Sequence, residues 1–123
     1  MVGRSREVCE MLRRRRVDVC CLQETKYKGG SCRVIGDDKE RYKFFWINED
    51  SAQGVGVMVH YNLVENVLEV QRVCGRIMVM KIVLGKEVFN VISAYAPQVG
   101  RSNLEKEEFY ERLMNTMRKL PLN

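Results

Sequence analysis

The run RIMVMKIVL-GK-EVFNVISAY, from Arg76 to Tyr95, constrains the fold more than any other stretch. Two apolar segments of strand length flank Gly85-Lys86, the pattern of a β-hairpin. Both segments are apolar on both faces, so the sheet they build must be covered on each side. Further strands are expected over Val17–Leu22, Tyr42–Ile47, Gly54–His60 and Val64–Val73, with Cys74-Gly75 as a break and Asn48–Gly54 as a connection. Lys26–Lys39, rich in glycine and charge, reads as a loop. Helices are expected over Ser5–Arg16, with Val8, Met11 and Leu12 at helical spacing, and over Ser102–Lys119. In the second helix Ser102 and Glu105 suit a capping box, and Phe109, Leu113, Met117 and Leu120 line one face. The expected class is α/β (α+β): about one mixed sheet with two helices on its outer face.

The same strands nominate a site. In VDVCCLQETK (17–26) a near-continuous apolar run predicts a central strand covered on both faces, and its tip delivers one carboxylate, Glu24. A carboxylate held where a strand leaves the core is well placed to ligate a metal. In VFNVISAYAPQ (88–98) a second strand ends in a polar tip carrying Tyr95, Pro97 and Gln98. Taken by themselves, Glu24 reads as an exposed loop glutamate, Lys26 as a surface lysine and Tyr95 as a half-buried tyrosine with a satisfied hydroxyl. Phe44, Phe45 and Trp46 read as core, and His60, the one histidine, as a strand-end residue with a structural hydrogen bond.

Composition narrows the class. The chain has 123 residues, 46% hydrophobic and 30% charged, which suits one folded domain spanning 1–123 and excludes wholesale disorder. No apolar run reaches bilayer-spanning length, and the start lacks a signal peptide's apolar core, so an intracellular protein, nuclear or cytoplasmic and not secreted, is expected. Five cysteines without C-x-x-C spacing suggest neither a disulfide framework nor a zinc site. The net charge of +5 permits a polyanionic partner. Positive charge is densest at Arg13, Arg14, Arg15 and Arg16, which are either a DNA contact or a solvated helix end.

The QET of the first tip and the AYAPQ of the second, in order and with the GVGVMV run between them, resemble the endonuclease/exonuclease/phosphatase superfamily of DNase-I-like hydrolases. The similarity runs from about Gly3 to Leu120 and is strongest toward retrotransposon-type endonuclease domains and the cellular proteins derived from them. It implies part of a four-layer α/β sandwich and metal-assisted phosphodiester hydrolysis with Mg²⁺, for which Mn²⁺ can substitute. Glu24 matches that family's metal-ligating glutamate and Tyr95 its active-site tyrosine. Lys26 matches a lysine that supports the charge network, and Gln98 a peripheral polar position. DNA is the implied partner.

The resemblance further implies an Asn-bearing strand before the first helix and Asp-x-Asn and Asp-His motifs after Leu120. Without them, activity is expected to be weak or absent. One sheet face is then expected to be open and apolar, inviting self-association. Two alternatives stand beside this expectation: a non-catalytic nucleic-acid-binding or protein-interaction module, and a phosphatase of a small phosphorylated substrate.

Overall fold

A computed structural model of the chain describes residues 5–25, 27–36, 41–49, 54–97 and 100–121. Its elements are α1 (Ser5–Arg14), β1 (Val19–Gln23), β2 (Gly29–Gly36), β3 (Arg41–Asn48), β4 (Val55–His60), β5 (Val67–Cys74), β6 (Ile77–Leu84), β7 (Glu87–Ala94) and α2 (Asn103–Arg118). A 3-10 turn over Tyr61–Asn66 takes the place of the start expected for β5. The fold is α+β. Among the described residues no helix is long and apolar enough to cross a membrane.

The expectation of one mixed sheet is corrected. The strands form two antiparallel sheets, ordered β1-β4-β3-β2 and β5-β6-β7. The cause lies in the connections. Two-residue turns at Gly75-Arg76 and Gly85-Lys86 leave β5, β6 and β7 able to pair only as a meander. Most of the segment read as a loop is β2, which pairs with β3 from Gly29↔Asn48 to Gly36↔Arg41. Its glycines and charges mask the strand because β2 is an exposed edge with little apolar surface to bury.

The two sheets pack face to face. Phe45, Val55, Val57 and Val59 of the first meet Met78, Met80 and Ile82 of the second, every one of them buried. The face expected to lie open is therefore covered by β5–β7, and self-association loses that basis. The helices do not share one outer face. Cys9 and Leu12 of α1 pack on Ile35, Tyr42, Phe44, Trp46 and Met58, on the outside of the first sheet. Phe109 and Leu113 of α2 pack on Cys74, Ile77 and Ala94, on the outside of the second. The order of layers is helix, sheet, sheet, helix.

Alternation along β4 explains how one strand serves two cores. Its valines face the second sheet, Met58 faces α1, and Gly56 leaves room for the Phe44 ring beside it. Arg72 of β5 fastens the sheets together, its guanidinium donating to the carbonyls of Trp46 (2.9 Å) and Ser31 (2.8 Å). Ser102 caps α2 by accepting from the Glu105 amide at 3.2 Å, while the Glu105 carboxylate pairs with Arg101 rather than closing the box. On the helix face, Met117 is exposed and Thr116 is buried in its stead. The Thr116 hydroxyl is satisfied by donating to the Arg112 carbonyl at 2.8 Å.

Cys9 yields a pH prediction. Its thiol is buried under α1, with Sγ 3.7 Å from the Met58 sulfur, and burial pushes it up from an ordinary 9.0 to about 11. Between those values the unfolded chain loses this proton and the folded chain keeps it, so stability falls as pH rises. Denaturant melts from pH 8.5 to 11 are expected to show a loss larger in the parent than in Cys9→Ala by on the order of 2 kcal/mol, because Cys20 and Cys21, also raised by burial, remain in both. Equal slopes in the two proteins would place the thiol in water.

Candidate active site

The tips of β1 and β7 lie side by side, joined by side-chain hydrogen bonds that each span 71 residues of sequence. Gln23 donates through Nε2 to the Ala94 carbonyl at 3.1 Å. The Ser93 hydroxyl, fully buried, lies 3.1 Å from the Gly56 carbonyl and 3.5 Å from that of Leu22. At the rim, the Tyr95 hydroxyl donates to Glu24 Oε1 at 2.7 Å. Gln23 and Ser93 thus hold the strands together from beneath, and Tyr95 holds the carboxylate above them.

Glu24 is held at a conformational cost. Its φ is +52°, in the left-handed region that a residue with a Cβ seldom occupies. The conformation is fixed by its amide, which donates to the Gly54 carbonyl at 2.8 Å. Gly54 itself has φ +147°, and a Cβ there would stand 2.7 Å from the Thr25 hydroxyl and 3.1 Å from Asn48. Thr25 is fully buried, and its Oγ1 has no hydrogen-bond partner among the described residues. Backbone strain and an unsatisfied buried hydroxyl at neighbouring positions oppose stability, and such features concentrate where a side chain is held for function.

The strain can be measured directly. Glu24→Gly and Glu24→Ala both lose the bond to Tyr95, but only alanine retains the left-handed penalty. Glu24→Gly is therefore expected to be the more stable of the two by about 1 kcal/mol in denaturant titrations. Equal stability, or a more stable alanine variant, would show that Glu24 is unstrained.

Of the residues nominated from sequence, Glu24 and Tyr95 come together. Lys26 and Gln98 fall outside the described residues. Arg13–Arg16 do not join the pair: they close α1 and precede β1, whereas Glu24 follows it, a separation of roughly 20 Å along the strand direction. Arg14 is engaged by Glu10 at 3.0 Å. His60 lies at the far end of β4 from Gly54. Its Nδ1 accepts from the Asn62 amide at 3.1 Å, the structural role expected of it. Phe44, Phe45 and Trp46 are core. β1 is an edge strand of its sheet among the described residues, not a central one. Its Cys21 and Gln23 side chains, both still exposed, reach toward β7. The residues missed from sequence are Gln23, Gly54 and Arg76, which act through backbone contacts and carry no pattern of their own.

Glu24 is one carboxylate, not a donor set. Among the described residues no three His, Cys, Asp or Glu side chains form a group able to hold an ion, so there is no preformed cage. A single rim carboxylate suits a largely hydrated Mg²⁺ held jointly by protein and a substrate phosphate, the manner in which this ion is commonly bound. Comparison with family models, curated proteins and solved structures gave no match.

Proposed function

We propose that the chain carries part of a metal-dependent phosphodiester hydrolase site of the DNase-I-like type, as in retroelement-derived endonucleases, with DNA as the substrate. The observation that carries this reading is the 2.7 Å bond from the Tyr95 hydroxyl to Glu24, formed between two motif tips by residues 71 apart in sequence. Glu24 would hold Mg²⁺ or Mn²⁺, which when bound neutralises charge on the phosphate and its leaving oxygen. Tyr95 fixes the carboxylate by occupying Oε1, and Oε2 is the oxygen that would hold a cation. The same phenol lies at the rim, and a phosphate approaching Glu24 would receive its proton only by displacing Oε1 as the acceptor.

Among the described residues no group of three His, Cys, Asp or Glu side chains gathers to complete a catalytic set. Groups of this kind act as a unit, so hydrolysis by these residues alone is expected to be orders of magnitude below that of a complete site. The same observation supports a second reading, a module that binds phosphodiesters without cutting them. Plasmid nicking tests both. Slow nicking that requires Mg²⁺ or Mn²⁺ and disappears in Glu24→Ala supports the hydrolase. Salt-sensitive DNA binding without nicking supports the binding module. Nicking that persists undiminished in Glu24→Ala would remove Glu24 from the chemistry.

A further inference from the structure

Tyr95 is held from behind as well as from the front. Its amide donates to the Arg76 carbonyl at 2.9 Å, and the Arg76 guanidinium returns a bond from Nη1 to the Tyr95 carbonyl at 3.0 Å. The guanidinium carbon also lies 5.5 Å from the centre of the Tyr95 ring, within the range of a cation–π contact. One residue thus fixes both main-chain polar groups of Tyr95 and touches its ring. Arg76 belongs to the two-residue β5–β6 turn, where a side chain is not needed to make the turn. It is half-buried and lines a cleft of about 230 Å³ with Glu49, Pro97, Glu105, Glu108 and Arg112. Its guanidinium bond and its ring contact both go to Tyr95.

We propose that Arg76 is the positioning residue of the Glu24–Tyr95 pair. It fixes the main chain and the ring plane of Tyr95, and so the direction in which the hydroxyl meets Glu24 Oε1. β7 ends at Ala94, which leaves Tyr95 one residue beyond the sheet. There it faces Arg76, which stands opposite it where the β6–β7 pairing ends and continues the constraint of the ladder. The proposal rests on the reading of Glu24 and Tyr95 as the working site, but its test needs no turnover.

The test is a double-mutant cycle between Glu24→Ala and Tyr95→Phe, run by denaturant unfolding in the parent, in Arg76→Met and in Arg76→Lys. A general loss of stability from replacing Arg76 is common to all four corners of the cycle and cancels from the coupling. In the parent, the two positions are expected to be coupled by about tenfold in the unfolding constant, as for a hydrogen bond to a charged acceptor. In Arg76→Met the coupling should fall below about twofold, and Arg76→Lys, which keeps a donor and a cation over the ring, should restore most of it. Undiminished coupling in Arg76→Met would overturn the proposal, as would loss in both variants alike. If the chain neither cuts nor binds DNA while the coupling behaves as expected, the function fails and the positioning role stands. Should Arg76→Met not fold, Arg76→Gln takes its place beside Arg76→Lys, with the same two outcomes counting against the proposal.

Discussion

Gly56→Ala is expected to lower the stability of the chain by about 3 kcal/mol, toward the upper end of overpacking effects. The position is not one that needs glycine for its backbone angles. It needs glycine for space: a Cβ there would stand 2.4 Å from the Phe44 ring and 2.7 Å from the Phe45 carbonyl. The carbonyl belongs to β3, which pairs with β4 and cannot withdraw without breaking the ladder. The ring cannot withdraw either, because Phe44 is fully buried between Tyr27, Trp46 and the α1 side of the core. Gly85→Ala is the control. Gly85 has φ +63°, and a Cβ added there would have nothing within 4 Å, so alanine meets strain without a clash. It should cost about 1 kcal/mol. A Gly56→Ala variant as stable as Gly85→Ala would mean that Phe44 does not cross β4 where the structure places it.

The second large effect concerns the rim. Replacing Tyr95 by Phe removes one hydroxyl and keeps the ring, so Glu24 loses its orienting partner and little else. Groups that orient a metal ligand commonly contribute roughly 10- to 100-fold, and a loss of about that size is expected in residual nicking. Glu24→Ala removes the proposed ligand itself and should cost more. The order of the two is the informative part. If Tyr95→Phe is the more damaging, its hydroxyl acts on the phosphate directly and the bond to Glu24 is secondary. If neither changes nicking, the pair is structural and the metal-dependent reading falls with it.

Strands and rim are legible in the sequence for different reasons. Apolar alternation in Val55, Val57 and Val59, and the turn at Gly85-Lys86, locate β4 and the β6–β7 hairpin because burial and turn chemistry are local signals. The division into two sheets is not legible, since pairing is decided by contacts between distant segments. An apolar face looks the same whether a sheet or a helix covers it. β2 escapes notice because an exposed edge strand buries little and so has no pattern to show. β1 misleads for the opposite reason: Val19, Cys20 and Leu22 read as a run buried on both faces, while Cys21 and Gln23 are turned to the β7 edge. Glu24 and Tyr95 stand out through their motifs. What holds them, the Gly54 carbonyl and the Arg76 turn, is backbone geometry, which leaves little trace in residue type.

The central claim is that Glu24, steadied by Tyr95, shares a divalent cation with a bound phosphodiester. Mn²⁺ binding followed by electron paramagnetic resonance, with and without a cleavage-resistant phosphorothioate oligonucleotide, tests it without requiring turnover. With one carboxylate available, the parent should hold Mn²⁺ weakly alone and more tightly when the oligonucleotide is present, and Glu24→Gln should abolish that gain. Mn²⁺ binding that is unaffected by the oligonucleotide, or a gain that survives in Glu24→Gln, would contradict the account.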